Sequence, residues 1–168
     1  MSFVERRIKQ ILSSNRIEFE EMEHEAVYTC ARAAQVIGLK TEEAGVKSLI
    51  LKTNEGKFIL VLNPGNKKID TKKIAQMEHA KSLYFASPDE VEKIAGIPIG
   101  CVPPFGHKTK FETYINEELL EQEHLYFNPG SHIKTIKMKS RDLLKVLENP
   151  KTFRQERWRP AGSPYNTS

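Results

Sequence analysis

The order of local patterns along the chain predicts an α+β fold. Helical spacings and strand alternations are mixed without the steady β-α-β succession of a doubly wound sheet. A strong two-strand hairpin signal stands mid-chain, with helix-start signals on both sides of it. At 168 residues the chain suits one domain with one sizeable core.

Each element has its own warrant. Val4, Ile8, Ile11 and Leu12 recur at helical spacing and predict an amphipathic helix over 3–15. Residues 17–22 alternate apolar with acidic, the pattern of a half-buried strand. Thr29 is placed to cap a short Ala-rich helix that runs to Ile37 and stops at Gly38. The apolar runs 48–52 and 58–62 flank Asn54-Glu55-Gly56 and read as a β-hairpin. Asp70 caps a helix over 71–79, and Leu83-Tyr84-Phe85 reads as a short strand. Ser87, with Pro88 next and Glu90 three residues on, is a capping-box start for a helix ending at Gly96.

Residues 96–106 hold three glycines and three prolines, a loop with a fixed backbone. A strand near 111–115, a short acidic helix, and two strands either side of Asn128-Pro129-Gly130-Ser131 follow. The last predicted helix covers 141–148, with Ser140 as its cap and Leu143, Leu144 and Leu147 on one face. Pro150 ends the regular pattern. The expected organisation is therefore a folded body over 1–150 and a basic, flexible tail over 151–168, with Phe153 and Trp158 as candidates for packing on the body.

Composition narrows the function classes. The chain carries 26 Lys and Arg against 22 Asp and Glu. Lys151, Arg154, Arg157 and Arg159 against Glu156 give the tail +3, which leaves the body near neutral at +1. That is a weak nucleic-acid signal. A bilayer-spanning apolar run and a signal-peptide core are both missing from the sequence. Cys30 and Cys101 make no disulfide framework and no zinc spacing, so a reducing cytoplasm is the expected compartment.

Four places could carry chemistry. The loop Gly100-Cys101-Val102-Pro103-Pro104-Phe105-Gly106-His107 can hold a small polar group on its backbone, or can be a tight turn between helix and strand. Lys47 heads a very apolar strand, either to meet a carbonyl or phosphate oxygen or as a solvated strand end. Asn128-Pro129-Gly130-Ser131-His132 offers an amide, a hydroxyl and an imidazole in one turn, and only His132 exceeds what a turn requires. His24 and Thr29 form a looser pair, with Thr29 also explained as a cap. Cys101 as a nucleophile, with His107 or His132 as base, competes with a small buried cysteine. Lys134, Lys137, Lys139 and Arg141 suggest cations along one exposed strand face, a solvated surface or a phosphate contact.

Taken in chain order, these pieces resemble the YbaK/prolyl-tRNA-editing family of aminoacyl-tRNA deacylases. The resemblance rests on His24 with Val27-Tyr28-Thr29, on Lys47 before Leu49-Ile50-Leu51, and on Val61-Leu62-Asn63-Pro64-Gly65. It continues through Ala86-Ser87-Pro88-Asp89-Glu90-Val91, Gly100-Cys101-Val102-Pro103-Pro104-Phe105-Gly106, Asn128 to His132, and Asp142-Leu143-Leu144. It spans about residues 3–148.

The resemblance implies a mixed, barrel-like sheet surrounded by helices. It implies hydrolysis, without metal or other cofactor, of the ester joining a wrong amino acid to the terminal adenosine of a tRNA, here tRNA for proline. Lys47 would contact the carbonyl or the terminal phosphate, and Gly100 to Pro104 would match the family's GxxxP loop, holding the aminoacyl group and a water. His132 would orient substrate. His24, Thr29, Cys101, Gly106, Asn128, Gly130 and Ser131 would shape the binding site. The implied partners are the acceptor end of aminoacyl-tRNA and prolyl-tRNA synthetase, with neither membrane nor DNA. Ser48, Pro129 and Asn116 depart from residues common in relatives and leave the amino acid open. The competing reading is a catalytically silent tRNA- or synthetase-binding module of the same fold, and a Cys101 hydrolase is a third.

Overall fold

A computed structural model describes residues 2–155. In chain order the elements are α1 (Phe3–Ser14), β1 (Phe19–Glu23), α2 (Cys30–Ile37), β2 (Val46–Thr53), β3 (Phe58–Pro64), α3 (Thr71–Glu78) and β4 (Leu83–Phe85). Then come α4 (Pro88–Ala95), β5 (Glu112–Asn116), a 3-10 helix (Glu117–Glu121), β6 (His124–Phe127), β7 (Lys134–Lys139), α5 (Ser140–Val146) and β8 (Lys151–Phe153). The α+β expectation holds.

The strands form two open sheets. β1-β7-β6 is antiparallel, while β4-β2-β3-β5-β8 is mixed, with β5 parallel to both β3 and β8. A single parallel bridge between Gly45 and Tyr126 links them. Neither sheet closes on itself, so the barrel-like expectation is corrected to two sheets meeting along one edge.

The hairpin of β2 and β3 is the spine of the larger sheet, and β3 is covered on both faces, which explains its unbroken apolar run. One face, with Ile50, Leu60, Leu62 and Ile115, joins the main core under α1 and the smaller sheet. The other, with Leu51, Ile59, Val61 and Tyr114, packs against Ile74 of α3 and Phe153 of β8.

The predicted caps are made. Thr29, Asp70 and Ser87 each accept a backbone N–H three residues on, and the Ser87–Glu90 box is reciprocal. Four local expectations change. The first strand begins at Phe19 because Arg16 turns left-handed (φ 55°) and drops Ile17 into the core. Ser140 does not cap α5: it is the first helical residue, and its hydroxyl donates to the Gln122 carbonyl. Leu143 is fully buried while Leu144 is exposed, so the two do not share an inward face. Order also continues past Pro150, because β8 pairs with β5 and buries Phe153. Trp158, Arg157 and Arg159 lie outside the described residues.

The lysine stripe is corrected too. Lys134 meets the buried Glu5 of α1 at 2.6 Å and Glu21 of β1 at 3.5 Å, and Lys137 pairs with Glu20 at 3.4 Å. Acidic groups of α1 and β1 thus neutralise much of what the sequence offers as a cationic face.

Candidate active site

The edge of β2 sets the site. β4 pairs only with Leu51, Lys52 and Thr53, and the Ala86 N–H reaches the Ile50 carbonyl just beyond. From Ile50 back to Val46 no strand among the described residues pairs with that side of β2, and a cleft of about 380 Å³ opens there. Of the sequence-named residues, Lys47, Thr29, Gly100 and Asn128 line it.

His132 stands at its rim. A Cβ built on Gly100 would lie 3.9 Å from the His132 Cε1, and Gly100 itself needs a φ of +94°, which side chains rarely adopt. The His132 Nδ1–H donates to the Val27 carbonyl at 2.9 Å. In the neutral ring that leaves Nε2 as an acceptor. That bond and a backbone one, from the Val27 N–H to the His132 carbonyl at 2.9 Å, tie the 128–132 turn to the segment before α2.

The other named residues do not enter the cleft. His24 is satisfied on both nitrogens, donating from Nδ1 to the Glu25 carbonyl (2.7 Å) and accepting at Nε2 from Thr135 (2.8 Å), so it fastens β1 to β7. Gly130 faces Ile97 and Ser2, and Ser131 accepts the Ile133 N–H within the turn. Asn128 also steadies that turn, donating to the carbonyls of Ser131 and Lys134. Pro104 and Gly106 line a separate depression on the far side of the loop, where Gly106 meets α1. Its neighbour His107 donates from Nε2 to the Pro103 carbonyl at 2.7 Å and stacks edgewise on Phe111.

Cys101 is only 2% exposed, its thiol donates to the Pro98 carbonyl at 3.4 Å, and burial pushes its pKa up to about 11. A thiol so buried and held protonated is a poor nucleophile, which speaks against the cysteine-hydrolase reading at this position. Asn116 is likewise structural: fully buried, it donates to Asn63 at 2.8 Å and caps the 3-10 helix.

Sequence reasoning missed part of the lining. Cys30 and Glu42 face the cleft beside Lys47. Burial raises the Cys30 pKa, Lys47 pulls it down and Glu42 pushes it up, so the thiol stays neutral. Glu42 and Lys47 make no ion pair with any described residue. Ser48 also lines the cleft, with a buried hydroxyl that has no hydrogen-bond partner among the described residues. A polar residue at the head of the apolar run 48–52 was the visible signal for Ser48, whereas nothing in Thr41-Glu42-Glu43 distinguishes Glu42 from a solvated loop acid.

Among the described lining residues the cleft holds one lysine and one glutamate side chain without an ion-pair partner, with Gly65 and Gly100 in its wall. The chain belongs to the aminoacyl-tRNA editing domain family, whose model matches residues 24–146. Among relatives, it is 25% identical over 151 residues to the Multifunctional Ser/Thr-tRNA deacylase ProXp-y of Escherichia coli strain K12, covering 88% of this chain and 90% of that protein. It is 27% identical over 149 residues to the Prolyl-tRNA editing protein ProX of Acetoanaerobium sticklandii, covering 85% and 90%. Among solved structures, one described as a candidate trans-editing enzyme for prolyl tRNA synthetase superposes with a TM-score of 0.78 at 26% identity, over 92% of this chain and 97% of that one.

Proposed function

We propose that this cleft hydrolyses the ester of a mischarged aminoacyl-tRNA in trans, with tRNA for proline as the nucleic acid. The protein is an aminoacyl-tRNA deacylase, as its family and its full-length relatives are. The observation that carries the reading of the site is the meeting of Lys47, Gly100 and His132, from three separate stretches of chain, at one opening.

An aminoacyl ester is already activated, so the site has to orient it and stabilise charge on its carbonyl oxygen. Lys47 supplies the positive charge for that oxyanion. Water adds to the carbonyl carbon, and the tetrahedral intermediate then expels the ribose oxygen. That oxygen takes a proton, leaving a free amino acid and an intact tRNA end. The His132 Nε2 accepts from the attacking water or the neighbouring ribose hydroxyl and so fixes the approach. Glu42 is the counter-charge for the substrate's α-ammonium group. Ser48 and Cys30 bound the side-chain end of the cleft, where each methylene of difference is worth about 1–3 kcal/mol. Prolyl-tRNA synthetase is the proposed delivering partner, since the near-neutral body offers little hold on a whole tRNA.

The test is a deacylation panel with tRNA charged with alanine, serine, threonine, cysteine or proline. The wild type releases at least one of them, and Lys47→Met lowers kcat by about 10²–10³-fold, the cost of losing an oxyanion donor. A folded wild type that binds tRNA and releases none would instead establish the binding module.

A further inference from the structure

We propose that Tyr28, backed by His132 and joined by Phe85 and Ile99, is a stacking platform for the adenine of the terminal nucleotide. This rests on the deacylase reading and adds to it the surface that receives the base. Tyr28, Phe85 and Ile99 are 68%, 60% and 50% exposed, and all three line the mouth of the one cleft. They come from separate parts of the chain: the turn before α2, the end of β4, and the loop after α4. Large apolar groups gathered in the open around the mouth of a cleft contribute little to the core and mark an interaction surface.

Tyr28 is also held ready. Val27 before it is buried and bonded through both backbone groups to His132, and Thr29 after it is the cap of α2. The Tyr28 ring leans on the imidazole, with centroids 4.4 Å apart and planes at 44°. An aromatic pinned on both flanks loses little freedom when a second ring settles on it.

The chemistry of the substrate selects the occupant. With the ester carbonyl at Lys47 and Gly100, the alcohol side is the terminal ribose, and its base emerges one sugar ring away, at the mouth. Among the described lining residues Lys47 is the sole cation, so the rim suits a neutral π-face rather than a phosphate. Base–aromatic stacking of this kind changes affinity by roughly tenfold to a hundredfold per base.

Steady-state deacylation of charged tRNA by wild type, Tyr28→Ala and Tyr28→Phe tests the proposal, together with binding of two short single-stranded RNAs. One RNA ends in CCA and the other has an abasic terminal ribose. The expected result is a KM about tenfold or more higher in Tyr28→Ala with kcat nearly unchanged, recovery in Tyr28→Phe, and loss of the preference for the CCA end. A thermal midpoint close to wild type, as expected for so exposed a ring, separates this from misfolding. An unchanged KM and a persisting CCA preference in Tyr28→Ala would overturn the platform and leave the deacylase standing. A wild type inactive on every charged tRNA would overturn the deacylase, and the RNA comparison would still decide the platform.

Discussion

Gly106 separates a packing glycine from a substrate-binding one. Its φ is +89°, and a Cβ there would lie 2.7 Å from the Ile8 Cγ1, on a residue of α1 that is fully buried. Gly106→Ala therefore meets two penalties. A side chain in a positive-φ conformation costs about 1–2 kcal/mol, and forcing a methyl into a packed core costs a further ~1–3 kcal/mol. Ile8 sits mid-helix with Val4 and Leu12 in the same core, so it cannot retreat without moving α1.

The expected loss is about 2–5 kcal/mol, or roughly 5–15 °C in thermal midpoint for a domain of this size. Urea unfolding of wild type, Gly106→Ala, Ile8→Ala and the double variant measures it. Ile8→Ala alone costs about 2–5 kcal/mol through its cavity. The double variant should cost less than the two singles together, because the cavity accepts the new methyl. Deacylation per folded molecule should stay near wild type, since Gly106 lies across the loop from the cleft. A stability loss under ~1 kcal/mol, or lost turnover in a fully stable variant, would refute this reasoning and return Gly106 to the substrate.

Two further outcomes are expected. Cys101→Ala should keep kcat/KM while losing about 1–2 kcal/mol of stability through a small cavity, and abolished turnover in a folded variant would restore the thiol as nucleophile. Acid should weaken the junction of β5 and β8, where Lys151 and Lys57 hold the Glu112 carboxyl down at about 2 from its ordinary 4.5. Because the folded value is the depressed one, this stabilisation is complete above pH 4.5 and fades as pH falls toward 2. The urea midpoint of Lys151→Met should thus fall less than that of wild type between pH 6 and pH 3, and parallel falls would contradict the assignment.

Much of the architecture was legible because its causes are local. Thr29, Asp70 and Ser87 cap the helices they precede, since the side-chain oxygen and the N–H it satisfies are three residues apart in the chain. The hairpin of β2 and β3 was readable from two apolar runs and one turn. Arg16 and Ser140 were not, because a left-handed turn and a donor bond to Gln122 are decided by the neighbours each residue meets after folding.

The site divides in the same way. Sequence alone determined an α+β domain and, through the order of its motifs, the editing family, and it proposed a lysine, a glycine loop and a histidine as the site. Only tertiary structure decided which motif residues share an opening. Residues 100–106 are continuous in sequence, yet Gly100 faces the cleft and Gly106 faces α1, because a loop threaded between two packed layers presents opposite ends to opposite sides. Tyr28, Glu42 and Ser48 join Lys47 there only because β4 stops short along β2 and leaves that edge open. No local pattern encodes where a neighbouring strand ends.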